Sequence, residues 1–132
     1  MMTRPDTLAE VHRRVTAGEA SYDHALPEFL DAFYLAAPGR RQAMIDVAPP
    51  AWDDPIRHAF FGAIGEHLAL RWGLRVPAWT NDASRFLRRP YFDTPIEALK
   101  AMYLAQSPTA FRRRLIFTEA EPLRRARMPR AA

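Results

Sequence analysis

The chain contains no cysteine, and this absence excludes three kinds of chemistry. Without a thiol there is no disulfide, no thiolate metal site and no cysteine nucleophile. No apolar run approaches the roughly 20 residues that cross a bilayer, so no membrane partner is expected. The first residues, MMTRPDTLAEVHRR, also lack the apolar segment of a secretory signal. These absences predict a cytoplasmic protein.

Lysine is almost absent as well, because 18 of the 19 basic residues are arginine and only Lys100 is lysine. Charge is also unevenly spread along the chain. Residues 1–66 carry 6 basic and 10 acidic groups, whereas residues 67–132 carry 13 and 5. A basic half can attract nucleic acid or an acidic protein partner, or it can neutralise the acidic half within one fold.

Strand patterns are missing too, apart from the ambiguous Leu115–Phe117. The apolar content of 48% is nevertheless enough to build a core. The sequence therefore predicts an all-α fold, with a single compact helical domain over residues 1–132. It predicts about six to eight short helices around a central helix near residues 53–73. The two ends, residues 1–6 and 127–132, are expected to be frayed.

The central helix is predicted from the stretch DDPIRHAFFGAIGEHLALRWG. Asp53 is suited to cap its start, Pro55 suits its first turn, and Gly73 can end it. Apolar or small residues occupy nearly every face, which is typical of a helix packed on more than one side. Helix-start signals such as Thr7 with Glu10 and Thr118 with Glu121 predict the other helices. These span about residues 8–17, 21–38, 40–47, 81–87, 95–106, 108–117 and 119–126.

Catalytic and metal-binding motifs are absent. The four histidines do not form H-E-x-x-H, and His58 and His67 are about 180° apart around a helix. There is no glycine-rich phosphate loop and no G-x-S-x-G elbow. Gly62 and Gly65 lie inside the central helix, where close packing explains them better than a nucleotide does. We therefore predict no catalytic residue, no metal and no cofactor, and no enzymatic activity.

An unrecognised active site is the least favoured alternative. It would need a pocket with convergent polar groups, for which His67, Arg71 and Trp72 are the candidates.

Arginine clusters interleaved with aromatic residues are the remaining feature of interest. The clusters are Arg85, Arg88 and Arg89; Arg112, Arg113 and Arg114; and Arg124, Arg125 and Arg127. Such a surface suits single-stranded nucleic acid, since arginine pairs with phosphate and aromatic rings stack on bases. The interpretation that we favour is structural: Phe86, Phe111, Leu115 and Phe117 are core anchors, and the arginines are solvated or bridge acidic groups. A helix-turn-helix with its turn at Gln106–Pro108 is a further alternative.

Three segments resemble a group of bacterial proteins: GEHLALRWGLRVPAW, RFLRRPYFDTP and SPTAFRRRLIF. Members of this group are sometimes fused behind a helix-turn-helix domain. They lie beside nucleotidyltransferase-like genes in loci that look like toxin–antitoxin pairs. The resemblance covers about residues 52–126. Residues 1–50 are too short and irregular for a complete DNA-binding domain with a linker.

The resemblance implies a non-enzymatic, antitoxin-like protein that neutralises a cognate toxin by direct contact. Either the acidic N-terminal half would face a basic substrate groove of the toxin, or the arginine clusters would face its metal-binding carboxylates. Aromatic and arginine side chains are the types favoured where binding energy concentrates. The expected contact residues are Arg88, Arg89, Arg112, Arg113 and Arg114, with Trp79 and Tyr91 as aromatic anchors. The alternative is a nucleic-acid-binding transcriptional regulator that uses the arginine-rich C-terminal half.

Overall fold

A computed structural model describes residues 3–130, and the predicted all-α class is confirmed. Within these residues there are six α-helices and four short 3-10 turns. The helices are α1 (Leu8–Thr16), α2 (Tyr22–Leu35), α3 (Arg41–Asp46), α4 (Pro55–Arg71), α5 (Lys100–Gln106) and α6 (Thr109–Arg112). The turns span Pro38–Arg40, Ala78–Asn81, Ala83–Arg85 and Glu97–Leu99.

Two very short strands accompany the helices, β1 (Tyr91–Phe92) and β2 (Ile116–Phe117). They run parallel, with Tyr91 opposite Ile116 and Phe92 opposite Phe117. The rings of Phe92 and Phe117 stack with centroids 5.0 Å apart. The ambiguous segment ending at Phe117 is therefore partly a strand.

The described residues form two compact units. The first comprises residues 3–50 and 123–130, and the second comprises residues 51–122. The prediction of a single domain stays a prediction. The first unit has nine basic and seven acidic residues and the second has ten and eight, so each carries a net charge of +2. The two halves of the sequence differ in net charge, but the two units do not. The reason is that the arginine-rich C-terminal segment belongs to the same unit as the acidic N-terminal helices.

The first unit is built on α1 and α2. The hydroxyl of Thr7 accepts the Glu10 N–H at 3.0 Å, so the predicted cap of α1 is confirmed. Phe29 and Phe33 of α2 are fully buried and form the apolar centre of this unit together with Leu8.

Residues 3–6, which the sequence predicts to be frayed, make specific contacts in the structure. Arg14 donates to the Thr3 carbonyl at 2.6 Å, Arg4 donates to Glu28 at 3.0 Å, and Pro5 is buried. At the other end, an Arg127 nitrogen lies 3.6 Å from an Asp31 carboxylate oxygen. Residues 1, 2, 131 and 132 of the two predicted frayed ends lie outside the described residues.

The helix predicted over residues 119–126 is absent. Pro122 would occupy the position whose N–H closes the first helical hydrogen bond, and proline has no N–H. The Thr118 hydroxyl donates to the Glu119 carbonyl instead of capping a helix. The segment is instead held by the Tyr34 hydroxyl, which donates to the Leu123 carbonyl at 2.8 Å.

A buried carboxylate also anchors this C-terminal segment. Asp31 on α2 is 3% exposed, and Arg125 donates to both of its oxygens at 2.9 Å. The Arg125 guanidinium holds the pKa of Asp31 below its usual range. A depressed carboxyl pKa stabilises the fold above the unfolded-state value of about 4, and this stability is lost as the pH falls through the lowered value.

We expect Asp31→Asn to cost about 1–3 kcal/mol near neutral pH, because the hydrogen bonds from a charged group are weakened. Below about pH 4 the difference from the wild type should shrink, since protonation of Asp31 removes the same charge. Urea unfolding at several pH values measures both effects. Asp53→Asn, at an exposed position, is the control. A difference that stays constant down to the lowest pH would contradict the assignment.

The second unit is organised around α4, as predicted, with small differences at the helix start. Asp54, not Asp53, is the cap, because its carboxylate accepts the N–H groups of Ile56 and Arg57. Ten of the 17 residues of α4 are buried, and Ile64 and Leu68 are fully inaccessible. A helix buried on most of its surface is the core of this unit.

Close packing explains the glycines of α4, as the sequence indicated. A Cβ atom on Gly65 would lie 2.8 Å from the Thr80 methyl group and 2.9 Å from the Trp79 ring. A Cβ on Gly62 would lie 3.0 Å from side-chain atoms of Arg85 and Arg114. The absence of side chains here allows the turn Ala78–Asn81 and two buried arginines to pack directly on the helix.

Gly65→Ala should therefore destabilise the protein. Overpacking against a rigid ring costs about 1–3 kcal/mol, which exceeds the gain of up to about 1 kcal/mol in helix propensity. Gly39→Ala is the matched control, because no atom lies within 4 Å of its added Cβ. Urea unfolding of both variants checks the prediction, and a Gly65→Ala variant as stable as the wild type would contradict it.

The C-terminal part of the second unit is less helical than predicted. The expected helix over residues 81–87 is replaced by the single 3-10 turn Ala83–Arg85, which follows the turn Ala78–Asn81. Helix α6 has only four residues, and Leu115 then takes a left-handed conformation with φ of 62°. A recognition helix of a helix-turn-helix cannot be built on four residues. No residue of α5 is buried, and the preceding turn leaves Ile96 53% exposed.

Candidate functional site

An open concavity of about 630 Å³ lies in the second unit. We call it the arginine groove and define it as Pro55, Ile56 and residues 83–91 except Arg85. The start of α4 forms one side, and the chain from the Ala83–Arg85 turn to β1 forms the rest. Its lining is mainly apolar, and Arg88 and Arg89 are its only charged residues.

Arg88 and Arg89 stand apart from the other predicted contact residues. Both are exposed, and neither makes a hydrogen bond, ion pair or cation–π contact with any residue between 3 and 130. Each guanidinium has five N–H donors, so this pair of arginines has ten donors that can bind water or a ligand. The structure therefore leaves these two side chains available for binding.

Tyr91 is the third predicted contact residue in the groove. Its backbone N–H donates to the Leu115 carbonyl at 2.8 Å, which fixes its position as the first residue of β1. Burial raises the pKa of the Tyr91 hydroxyl, and the Asp93 and Asp54 carboxylates raise it further. The hydroxyl is thus a neutral hydrogen-bonding group close to two negative charges.

Arg112 and Arg113 are exposed but already engaged. Arg112 donates to the carbonyls of Ala105 and Ser107, both at 3.0 Å, and so caps the end of α5. Arg113 donates to the Asn81 side chain at 2.6 Å. A partner that bound either guanidinium would have to compete with these contacts.

Arg114 is a correction to the predicted contact surface, because it is 0% exposed. One of its terminal nitrogens donates to the Glu66 carboxylate at 2.5 Å and to the Ala110 carbonyl at 2.8 Å. The other donates to the Thr80 carbonyl at 2.5 Å. Burial lowers the pKa of Arg114, while Glu66 opposes that shift. Arg114 joins α6 to α4 inside the core and cannot contact a partner.

Trp79 is half-buried and also has a structural role. Its ring packs over Gly65, and the Arg85 guanidinium lies 4.8 Å from its centroid. It is not part of the arginine groove. Of the seven predicted contact residues, the structure brings together only Arg88, Arg89 and Tyr91 in one concave surface.

A hydrogen-bonded chain beside the groove was not predicted. His58 Nε2 lies 2.9 Å from the Ser84 hydroxyl oxygen, and that hydroxyl lies 2.7 Å from an Asp82 carboxylate oxygen. The sequence signal that points to part of it is Asp82 two residues before Ser84, the spacing of a cap. Asp82 does accept the Ser84 N–H at 3.0 Å.

The direction of this chain excludes a serine activated by histidine. His58 Nδ1 faces two donors, the Trp52 N–H and an Arg85 nitrogen, both at 3.3 Å. It must therefore be the acceptor, so Nε2 carries the proton and donates to Ser84. A general base needs the opposite tautomer. Burial lowers the pKa of His58, with Arg85 adding to the effect, which favours this neutral form.

The side chains proposed for an alternative active site, His67, Arg71 and Trp72, make packing and ionic contacts with their neighbours. The His67 ring contacts Phe111 with centroids 5.6 Å apart, and burial lowers the pKa of His67. The Arg71 guanidinium lies 4.9 Å from the Trp72 ring and 3.7 Å from Glu121. Among residues 3–130, no group of three or more acidic or histidine side chains is placed to hold a metal ion.

In the described part of the chain, no helix is long and apolar enough to cross a membrane. Comparison of the chain with protein-family models, with curated proteins and with solved structures finds no match.

Proposed function

We propose that this chain is a non-enzymatic, antitoxin-like protein that neutralises a cognate protein by direct contact through the arginine groove. The observation that carries the proposal is the pair of unpartnered arginines, Arg88 and Arg89, on the wall of an apolar concavity. Arginine is among the residue types that dominate binding energy at protein interfaces. A mainly apolar lining with few charges is also typical of such surfaces.

The charges around the groove favour a protein over a nucleic acid. Nucleic-acid sites follow the phosphate backbone with a continuous run of positive charge. Here the two arginines stand alone, because Arg112 and Arg113 are engaged and Arg114 is buried. The carboxylates of Asp54 and Asp93 lie close enough to Tyr91 to raise its pKa. A phosphate chain extended past the arginines would meet these negative charges.

The antitoxin role itself is supported by the resemblance of residues 52–126 to proteins of toxin–antitoxin-like loci. A nucleotidyltransferase-like toxin would hold its metal ions with carboxylates, and such carboxylates are suitable partners for Arg88 and Arg89. Binding there would occlude the toxin's active site.

Co-expression with the product of the neighbouring gene tests the proposal. The two proteins should co-purify as one complex, and the chain should restore growth when the neighbour is toxic. A chain that stays free of the neighbour on gel filtration and never restores growth would contradict the proposal.

A further inference from the structure

The outer edge of β1 is unpaired. Tyr91 N–H donates to Leu115 O at 2.8 Å and Asp93 N–H donates to Phe117 O at 2.9 Å, so these residues make the ladder with β2. In a strand, the residue between two such donors directs its N–H and C=O to the opposite side. Neither group of Phe92 makes a hydrogen bond within residues 3–130. A free strand edge is a template for another extended chain.

A second concavity of about 360 Å³ lies along this strand, lined by residues 91–95. It shares Tyr91 with the arginine groove, so the two concavities adjoin along the chain from Arg88 to Pro95. Directly after Pro95, Ile96 is 53% exposed. Concave surface, a free strand edge and an exposed apolar residue thus follow one another, as an extended ligand requires.

The charges of the two concavities place acidic residues at one end of the ligand only: Arg88 and Arg89 favour carboxylates in the arginine groove, whereas Asp93 lines the second concavity and disfavours them there. Arg88 and Arg89 are the only charged residues that line the arginine groove, and both are unpaired within the described residues. An extended chain covers at most about 3.3–3.6 Å per residue. A ligand carboxylate that binds Arg88 or Arg89 would therefore lie within about four residues of the ligand residue that pairs with Phe92.

We infer that the second unit binds its partner by strand addition. An extended segment of the partner protein pairs with the backbone of Phe92 at the free edge of β1, and carboxylates at one end of this segment bind Arg88 and Arg89, away from Asp93. Main-chain hydrogen bonds supply affinity in this mode and side-chain contacts supply specificity. The inference rests on the proposed function, because it states how the same groove holds its partner.

A phage-displayed library of random dodecapeptides tests this binding mode. Peptides are selected for binding to the full chain and against binding to the double variant Arg88→Glu/Arg89→Glu. Peptides retained by the wild type should be rich in Asp and Glu. A synthetic selected peptide should lose at least about tenfold in affinity for the double variant, since a reversed charge repels it. It should also protect the Phe92 amide from hydrogen exchange.

Two substitutions at Phe92 separate its backbone from its side chain. Phe92→Pro removes the N–H that β2 does not use, whereas Phe92→Leu keeps it, and both remove the ring stacked on Phe117. The proline variant should bind the peptide about tenfold more weakly than the leucine variant, as expected for one lost hydrogen bond. If the proline variant does not fold, hydrogen exchange of the Phe92 amide in the wild-type complex with the peptide tests strand addition instead.

The outcomes are distinct. Peptides that depend on Arg88 and Arg89 but leave the Phe92 amide unprotected would overturn strand addition. A selection that enriches no acidic peptide on the wild type over the double variant would overturn it as well. Neither result concerns restoration of growth by the chain, so the proposed function stands or falls separately.

Discussion

Replacing Arg114 by methionine is expected to lower the free energy of unfolding by about 3–5 kcal/mol, the range found when one partner of a buried ion pair is removed. Methionine retains most of the volume but leaves the buried Glu66 carboxylate facing a methyl group. The exposed Arg113, 3.5 Å from the same carboxylate, is its only remaining cationic partner among the described residues. Urea unfolding followed by circular dichroism measures the loss.

A double variant identifies the cause of this loss. In Arg114→Met/Glu66→Leu no charge is left buried, and apolar replacements of buried ion pairs are often tolerated. The double variant should therefore be more stable than Arg114→Met alone. Arg112→Met is the surface control and should cost less than Arg114→Met, because Arg112 is exposed and its removal leaves no buried charge without a partner. An Arg114→Met variant with wild-type stability but no partner binding would restore Arg114 as a contact residue.

The second large effect is expected for function. Arg88→Glu/Arg89→Glu should fold with wild-type stability, because neither side chain has a partner within residues 3–130. Its affinity for the cognate protein should fall by at least about tenfold per residue, since each reversed charge replaces an attraction by a repulsion. If the proposed function holds, restoration of growth by the chain against the neighbouring gene product should be lost in parallel.

A matched variant controls for net charge. Arg124 and Arg130 are likewise exposed arginines without a partner in the described chain, but they belong to the first unit. Arg124→Glu/Arg130→Glu changes the net charge by the same amount and should retain binding within about threefold, as expected when only long-range attraction is altered. Equal losses in both double variants would show that overall charge, and not the groove, attracts the partner.

The sequence predicted the helices well where local signals and burial agree. Thr7 caps α1 as expected, and α4 lies within two residues of its predicted bounds. The error of one residue at the cap of α4 arises because Asp53 and Asp54 are equally suitable in sequence. Only the structure shows that the Asp54 carboxylate reaches the free N–H groups.

The sequence failed where long-range contacts decide the conformation. The segment after Thr118 has helix-start residues, but Pro122 lacks an N–H, and Tyr34 and Asp31 hold the following residues in irregular structure. Strands β1 and β2 have two residues each, too few for an alternating pattern, and their paired residues are 25 positions apart in the sequence.

The contact surface could be predicted only in part. Three consecutive arginines, Arg112 to Arg114, look equivalent in sequence, yet successive residues of a helical turn point in directions about 100° apart. One therefore faces the core while its neighbours face outward. Glu66 was the available signal, since a carboxylate within an apolar and small-residue helix requires a buried cation. The availability of Arg88 and Arg89 could not be foreseen, because it depends on the absence of acidic neighbours in three dimensions.

A titration of the chain with the neighbouring gene product and with single-stranded RNA, each at low and moderate salt, distinguishes a protein partner from a nucleic acid. We expect a saturable protein complex whose affinity depends on Arg88 and Arg89, and no RNA binding at either salt concentration. Tight RNA binding that weakens steeply with salt, as counterion release requires, together with no protein complex, would contradict this expectation.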